Sequence, residues 1–399
     1  MGNLCLVTAL FLPVCGCAPK QESKAAMVSE EVKIMAATDL HYLSETLYDE
    51  DSEIFARLKA SNDGKLFEES VLILETLKEK AIEEKPDVLL LSGDLTFNGE
   101  LVSLNEVAAV LKEIEAAGIP VLVISGNHDI LYPAAASYFG DEAERVPVIT
   151  PEMFADVMAD FGFAEALQRD PSSLSYMAGI KDDLQLLVLD ANTPGHTGEI
   201  LPETLVWAEP LLADAQEKGM TVIVMSHQNV LPQNSLMYNG YVLSNHEAVE
   251  HMLGKYGVEL VLSGHSHLEH TAEKDGLTDI CSESLAIWPL QYSLVTIPAD
   301  RKGYAYEKGK LGILEQEAYG RFAETVLRMA AETVAKASSD PAEQALMTDY
   351  AVALNSAYFS GDHAKIRELA DDPARDLWRA RAGDSFTGFY LENIFAETE

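Results

Sequence analysis

Short, almost continuous apolar segments alternate with amphipathic segments over most of this chain. The apolar segments are rich in valine, isoleucine and leucine, and they read VKIMAATDLH, DVLLLSGD, IPVLVISGNHD, LQLLVLD, TVIVMSH and VELVLSGHSH. Strands whose two faces are both covered by other layers have this composition. The pattern therefore predicts a set of buried strands between residue 31 and about residue 295.

Helical patterns separate several of these predicted strands. They are KLFEESVLILETLKEKAIEE, SLNEVAAVLKEIEAAG and ETLVWAEPLLADAQEKG, and Gly118 and Gly219 follow two of them, where a left-handed residue ends many helices. Alternation of strands and helices predicts a layered α/β domain. Leu131 to Leu167 is less regular and is interpreted as an insertion over one face, and Cys281 to Pro298 as further strands.

The pattern changes after about residue 306. LGILEQEAYGRFAETVLRMAAETVAKA, PAEQALMTDYAVALNSAYF and AKIRELADDPARDLWRARAG carry apolar residues at three- and four-residue spacing, and Asp340-Pro341 is a suitable helix start. We predict an α/β domain at residues 32–306 and an all-α domain of three or four helices at residues 307–399. The helical domain would pack against the α/β domain, shape access to a site or form a dimer.

Residues 1–31 are typical of a targeting segment. NLCLVTALFLPVCGC contains an apolar run too short to span a bilayer, followed by small residues. Val14-Cys15-Gly16-Cys17 resembles a bacterial lipobox, so we expect a lipid anchor on Cys17 that holds the protein at the cell membrane, outside the cytoplasm. Met1 to Leu10 contains no lysine or arginine, and a plain secretion signal or a buried N-terminal strand are the alternatives.

The chain is strongly acidic, with 65 acidic and 28 basic residues and a formal net charge of −37. Binding of long nucleic acids depends on lysine and arginine side chains that neutralise phosphates. The charge therefore argues against long nucleic acids and anionic lipid surfaces as partners. A small anionic substrate remains compatible with the charge if a cation at the site reverses the local field.

Polar residues follow five of the predicted strands. They are Thr38-Asp39-Leu40-His41, Ser92-Gly93-Asp94, Ser125-Gly126-Asn127-His128-Asp129, Ser226-His227 and Gly264-His265-Ser266-His267. In an open α/β sheet the carboxyl ends of the strands share one edge, where ligands bind. Each segment alone is explained by a hydrogen-bonded core residue, whereas the ordered set predicts that these side chains meet in one site.

The ordered segments resemble the Asp-x-His, Gly-Asp, Gly-Asn-His-Asp/Glu, His and Gly-His-x-His blocks of the calcineurin-like metallophosphoesterases. All five blocks are present, and the resemblance covers residues 32 to about 297. It implies a four-layered αββα sandwich with a two-metal site that hydrolyses phosphate esters. SGDLTFNGE and the helical C-terminal region look most like lipoprotein relatives of the class III cyclic nucleotide phosphodiesterases.

The resemblance also implies the metal ligands. One ion would be held by Asp39, His41, Asp94 and His267, and the other by Asp94, Asn127, His227 and His265. Asp94 would bridge two ions about 3.5–4 Å apart, and mixed imidazole and carboxylate ligands suit iron, manganese or zinc. On an extended segment His265 and His267 point the same way, so each reaches one of two adjacent ions.

The same resemblance implies a mechanism in which a hydroxide shared by the two ions attacks phosphorus. His128 would protonate the leaving oxygen or stabilise the pentacoordinate state. Asp129 would orient the imidazole of His128, and its alternative role is to cap a helix or turn.

Several other polar residues are poorer candidates. His196, Asn98 and Asp190 would either border the site or belong to ordinary loops, turns and strand ends. Three further histidines show no matching metal geometry and are expected at the surface: His246, His251 and His270.

We expect hydrolysis of a small phosphodiester, with a 3′,5′-cyclic nucleotide as one candidate. A phosphomonoesterase or nucleotidase in phosphate scavenging would use the same ligands and is the alternative. A non-catalytic lipoprotein that recruits a partner through its helical domain is a third hypothesis. Decayed enzymes usually lose a ligand or the acid, and none is missing from this set.

Overall fold

The computed structural model describes Met1 and residues 30–398. The predicted leader, its lipidation site at Cys17 and nearly all of the tether lie outside the described residues. Within them, no helix has the length and apolar character needed to cross a bilayer.

The described residues form two large sheets and one short hairpin. The strands are β1 (Val32–Ala37), β2 (Val88–Leu91), β3 (Val121–Val123), β4 (Ala136–Phe139), β5 (Glu142–Arg145), β6 (Gln168–Arg169), β7 (Tyr176–Lys181), β8 (Leu184–Leu189), β9 (Thr221–Ser226), β10 (Leu260–Ser263), β11 (His270–Lys274), β12 (Leu277–Cys281), β13 (Gln291–Ile297) and β14 (Ala305–Lys310). The first sheet has the order β14-β13-β1-β2-β3 and the second the order β11-β12-β10-β9-β8-β7-β6. In the first sheet β1, β2 and β3 are parallel, and the antiparallel strands β13 and β14 lie on one side of them. The second sheet has a parallel centre, β12-β10-β9-β8, with antiparallel strands on both sides.

Helices cover the outer faces of the sheets and make up the C-terminal region. They are α1 (Glu53–Ser61), α2 (Ser70–Glu84), α3 (Leu101–Ala116), α4 (Pro151–Val157), α5 (Pro202–Glu217), α6 (His246–Lys255), α7 (Glu315–Ala337), α8 (Pro341–Phe359), α9 (His363–Leu369), α10 (Pro373–Ala382) and α11 (Phe386–Thr398). Gly118 and Gly219 follow α3 and α5 with φ of 90° and 68°, as predicted for left-handed residues after helices.

The two sheets pack face to face. In β8, Leu186 and Val188 belong to the core shared with Ile34 of the first sheet, whereas Leu187 and Leu189 lie in the separate core beneath α5 and α6. Successive residues of a strand point to opposite faces, so a strand buried on both sides has no polar face. This explains the continuous apolar segments, and the predicted four-layered αββα arrangement is confirmed.

The predicted helix from Lys65 to Glu84 begins five residues later than expected, at Ser70. Lys65 and Leu66 belong to a connecting loop, and Leu66 donates its backbone N–H to the carbonyl of Ala286 at 2.7 Å. A backbone group used in this way is not available to a helical turn. Between residues 131 and 167 the predicted insertion consists mainly of the β4–β5 hairpin and α4.

The C-terminal region contains five helices, one or two more than predicted. The segment from residue 364 to 383, interpreted as one helix, is divided into α9 and α10, because Asp372 caps a new helix and Pro373 occupies its first turn. Trp378 is buried in the core of these helices, and Leu268 and Ile287 of the α/β domain belong to the same core. The helices therefore pack against the strand-bearing region through shared apolar contacts.

Candidate metal centre

Five strand ends deliver the predicted ligands to one edge of the paired sheets. The loops after β1 and β2 are joined by two backbone hydrogen bonds, from Asp39 N to Gly93 O at 3.0 Å and from His41 N to Asp94 O at 2.9 Å. In the second sheet, Gly264 N donates to His227 O at 2.9 Å. In three overlapping groups, one candidate ligand atom per residue lies within 4.8 Å of the others: Asp39, His41 and His267; His41, Asp94 and His128; and Asp39, Asp94 and His227.

The first half of the site is formed by Asp39, His41 and His267. Asp39 Oδ1 lies 3.0 Å from His267 Nε2 and 3.7 Å from His41 Nε2. The two imidazole Nε2 atoms are 3.4 Å apart. Three donor atoms that converge in this way, with Asp39 and His41 fully buried, are suited to share one cation.

The second half is formed by Asp94, Asn127 and His227. His227 Nε2 lies 3.0 Å from Asn127 Oδ1 and 3.5 Å from Asp94 Oδ1. The other oxygen of the same carboxylate, Asp94 Oδ2, is 3.8 Å from His41 Nε2 in the first half. Asp94 therefore stands between the two halves, as a bridging carboxylate must.

Backbone carbonyls orient two of the imidazoles. His227 Nδ1 is 2.7 Å from Ser92 O, and His265 Nε2 is 2.7 Å from Gly240 O. A carbonyl only accepts, so these nitrogens carry a proton. In the neutral form of either ring, the second nitrogen then has the lone pair that a metal ion needs. The ring of His265 lies 5.0 Å from that of His227, and its backbone N–H donates to Asp39 Oδ2 at 2.9 Å.

The backbone is strained at the candidate ligands. Five of them have left-handed φ values between 45° and 65°: Asp39, His41, Asp94, His265 and His267. Non-glycine residues adopt this region at a cost, and such residues concentrate at functional sites. The strained residues turn side chains from both sheets toward one point.

Charges inside the site shift several pKa values. Burial alone would raise the pKa of Asp39 and of Asp94, but nearby imidazoles hold both well below the usual range, chiefly His267 for Asp39 and His227 for Asp94. Burial lowers the pKa of His227, but the Asp94 carboxylate outweighs it and raises the value to about 9. Burial and the His227 charge lower the pKa of His265 to about 4. Positive charge thus stabilises the ionised form of the buried carboxylates. The mixed set of oxygen and nitrogen donors fits metal ions.

His128 lies at the side of the cluster. Its backbone N–H donates to Asp94 Oδ1 at 2.7 Å, and its Nδ1 lies 2.9 Å from Phe97 O and 3.2 Å from Asn98 Oδ1. Asn98 therefore does border the site. Tyr132, which the sequence patterns did not indicate, stacks on the ring of His128 with centroids 4.5 Å apart.

Asp129 was predicted to orient the imidazole of His128, but its carboxylate makes other contacts. Its carboxylate accepts hydrogen bonds from the backbone N–H groups of Leu95, Thr96 and Gly126 and from the Thr96 hydroxyl, at 2.8–3.2 Å. The alternative role as a turn cap therefore describes its contacts. Burial and the Asp94 charge raise the pKa of Asp129 to about 6. Through these hydrogen bonds, Asp129 connects the loop after β2 to the loop that carries His128.

The two remaining polar candidates have partners other than the candidate ligands. His196 is exposed and pairs with Glu199, and Asp190 accepts hydrogen bonds from the backbone of Leu174 and Asn192.

His251 is exposed as expected, but the prediction that His246 lies at the surface is wrong. Its ring nitrogens contact Tyr238 and Glu250, and only 6% of the residue is exposed. His270 is only half-buried, and its Nδ1 lies 2.9 Å from Gln233 Oε1.

Gly264 leaves no room for a side chain beside the site. A Cβ at this position would lie 2.0 Å from Thr38 Oγ1 and 2.8 Å from Asp39 Oδ2. We expect Gly264→Ala to displace Asp39, to lower bound metal measurably and to cost about 1–3 kcal/mol of stability. Elemental analysis and thermal unfolding measure both effects. Gly320→Ala, in open space on α7, is the control and should leave metal content unchanged; equal behaviour of the two variants would contradict the prediction.

The chain is similar in sequence to several known proteins. A protein from Moraxella catarrhalis named "Probable cyclic nucleotide phosphodiesterase" is 26% identical over 188 residues, 47% of this chain and 60% of the relative. This chain thus matches less than two thirds of that relative's length. A protein of the same name from Psychrobacter arcticus is 24% identical over 250 residues, 62% of this chain and 78% of the relative.

Among solved structures, a dimetal phosphatase from Danio rerio is similar, with 14% identity, a TM-score of 0.48 and coverage of 69% of this chain and 98% of the other. The model of one protein family, described as calcineurin-like phosphoesterase, matches residues 32–269. That match spans more than half of the chain and includes every predicted ligand. The chain therefore belongs to the calcineurin-like phosphoesterase family of hydrolytic enzymes.

Proposed function

We propose that this protein hydrolyses a small phosphodiester at a two-metal centre, with 3′,5′-cyclic nucleotides as the first substrates to test. The observation that carries the proposal is the position of Asp94, whose two carboxylate oxygens face His41 on one side and His227 on the other. The preference for a diester is supported by the relatives named as probable cyclic nucleotide phosphodiesterases.

The proposed ligands divide into two sets that share Asp94. One set is Asp39, His41, Asp94 and His267, and the other is Asp94, Asn127, His227 and His265. When bound, two metal ions would supply Lewis acidity toward the phosphoryl oxygens and would lower the pKa of a coordinated water. The donor types suit iron, manganese or zinc.

His128 is the proposed proton donor to the leaving oxygen. Phe97 O and Asn98 Oδ1 lie close to its Nδ1, and as acceptors they hold the Nδ1 proton in place. In the protonated ring, the Nε2 proton is then the one available to a leaving alkoxide. Stacking on Tyr132 restricts rotation of the ring.

The charge of the protein supports a small substrate. With a formal net charge of −37, the surface repels a polyanion at long range, whereas a single phosphodiester group carries one negative charge. Cations at the centre reverse the field locally. As it approaches the ligands, a substrate of low charge is therefore repelled less strongly by the acidic protein than a nucleic acid is.

The test compares a diester with its monoester on the manganese-loaded protein. We expect release of p-nitrophenolate from bis(p-nitrophenyl) phosphate to exceed that from p-nitrophenyl phosphate by at least about tenfold in kcat/KM, a difference of 1.4 kcal/mol in transition-state binding. A panel of cyclic nucleotides, mononucleotides and glycerophosphodiesters then identifies the natural class. Turnover of the monoester alone would replace the proposal with a phosphomonoesterase.

A further inference from the structure

One buried lysine lies in a loop that backbone hydrogen bonds connect to the candidate ligand Asp39. Lys65 belongs to the loop from residue 62 to 66, between α1 and α2, and only 7% of it is exposed. Its Nζ lies 2.6 Å from Asp63 Oδ2, and Asp63 itself is largely open to solvent. Lysine is seldom buried to this extent, and this chain has 28 basic residues against 65 acidic ones.

Backbone hydrogen bonds join this loop to a candidate ligand. Leu66, the neighbour of Lys65, donates its N–H to Ala286 O at 2.7 Å. Ala286 in turn donates its N–H to Asp39 O at 3.3 Å, and Ser284 Oγ donates to the same carbonyl at 2.9 Å. Two successive hydrogen bonds therefore separate the residue next to Lys65 from Asp39.

The charges of this loop also act on titratable groups of the centre. Burial lowers the pKa of His41 well below the usual range, and the Lys65 ammonium lowers it further. Surrounding protein atoms partly desolvate the Asp63 carboxylate, although its oxygens remain open to solvent, and this raises its pKa; the pairing with Lys65 outweighs that effect, and His267 contributes in the same direction as Lys65. Lys65 and Asp63 are thus coupled electrostatically to His41 and His267 of the first half of the site.

The ammonium of Lys65 has hydrogen-bonding capacity to spare. An ammonium carries three N–H donors, and Asp63 is the hydrogen-bond acceptor found for Nζ among the residues described. Phosphate oxygens are strong acceptors for such a cation. A phosphate group bound at the metal centre would provide further acceptors for these donors.

We propose that Lys65 binds a non-bridging phosphate oxygen of the substrate, with Asp63 holding the ammonium toward the metal centre. This inference rests on the proposed function, because it assumes that a phosphate group occupies the centre. In this role Lys65 neutralises charge on the phosphate. It does so from the loop between α1 and α2, which carries none of the predicted ligands.

The helical C-terminal region holds the Lys65 loop at both ends. At the start of the loop, Arg328 of α7 donates from Nη2 to Asn62 O at 2.7 Å and from Nη1 to Ala60 O, at the end of α1, at 3.3 Å. After the loop, Arg321 of α7 makes two hydrogen bonds to the Glu68 carboxylate, both at 2.7 Å. A paired guanidinium–carboxylate contact fixes orientation as well as distance. Arg321 and Arg328 are therefore positioning residues, and α7 gains a role in phosphate binding.

The first experiment measures binding of inorganic phosphate to the metal-loaded protein by calorimetry. Lys65→Met keeps the length of the side chain and removes the charge. We expect phosphate binding and kcat/KM to fall about 10- to 100-fold, as for loss of one charged hydrogen bond, with unchanged metal content by elemental analysis. Lys65→Arg should retain most of the phosphate affinity. Lys80→Met, on the exposed face of α2 where Lys80 pairs with Glu83, is the control and should behave as wild type.

The outcomes separate the two proposals. If Lys65→Met binds metal and phosphate as the wild type does, the Lys65 assignment is overturned, whatever the substrate. If the wild type binds phosphate through Lys65 but hydrolyses no phosphate ester, the proposed function fails and the Lys65 assignment stands.

A second variant tests the assignment from outside the site, which matters if Lys65→Met does not fold. Arg328→Met should weaken phosphate binding and raise KM by about three- to tenfold with little change in kcat, since loss of one hydrogen-bonding partner is worth about 1 kcal/mol. Arg328→Lys should restore part of the loss. Arg381→Met, which removes a pair with Glu343 elsewhere in the helical region, is the control. Phosphate binding equal in the two methionine variants would overturn the role of α7.

Discussion

Replacing Asp94 with asparagine is expected to remove metal from the centre and to lower kcat/KM by at least about 10³-fold, because a shared ligand is lost from both ions at once. Asparagine keeps an oxygen that can accept the 2.7 Å hydrogen bond from the His128 backbone. It lacks the negative charge that faces His41 and His227. The fold should therefore survive while the affinity for cations falls. Elemental analysis and steady-state kinetics on the same preparation measure both effects.

Asp190→Asn is the matched control for this experiment. Asp190 is also a buried aspartate at the end of a strand, but its carboxylate accepts hydrogen bonds from the backbone of Leu174 and Asn192 instead of facing an imidazole. We expect this variant to lose stability, seen in thermal unfolding, and to keep its metal content. Two metal equivalents retained in Asp94→Asn would contradict the bridging role.

The strands could be predicted because both faces of each central strand are buried. In β8 the residues at alternate positions enter two different cores, so the whole segment is apolar and stands out from its surroundings. The helix boundaries were harder to predict. The division between α9 and α10 depends on Asp372 and Pro373, a signal that is present in the sequence but was outweighed by the apolar spacing around it.

The order of metal-binding residues along the chain indicated the site, but their distances could not be predicted. These distances depend on left-handed turns at residues such as Asp39 and Asp94. The local sequence contains no signal for a strained turn at a non-glycine residue. The assignment of individual ligands came from the family resemblance, and their roles stay predictions. The structure adds that the side chains meet.

Residues whose contacts depend on loops carried no local signal in the sequence. Lys65 stood at the start of a helical pattern, and the contact between Leu66 and Ala286 joins positions more than two hundred residues apart. Tyr132 reaches His128 through a loop of irregular sequence. The burial of His246 could not be predicted, because its contact with Tyr238 depends on a loop that no periodic pattern describes.

Replacing His128 with asparagine is expected to keep the metals and to slow hydrolysis in a way that depends on the leaving group. The side chain of His128 lies beside the ligand cluster, and its Nδ1 is held by Phe97 O. Removal of a proton donor costs about 10²–10⁴-fold when the leaving group is a poorly stabilised alkoxide. A nitrophenolate leaves without protonation, so its release should fall much less.

The measurement is kcat for an alkyl phosphodiester and for bis(p-nitrophenyl) phosphate in the wild type and in His128→Asn, with metal content determined for both. His196→Asn, at an exposed histidine paired with Glu199, is the control and should leave both rates unchanged. Equal losses on the two substrates would assign His128 to stabilisation of the pentacoordinate state instead of proton transfer. Full activity on both substrates would remove His128 from the mechanism, since neither role tolerates its loss.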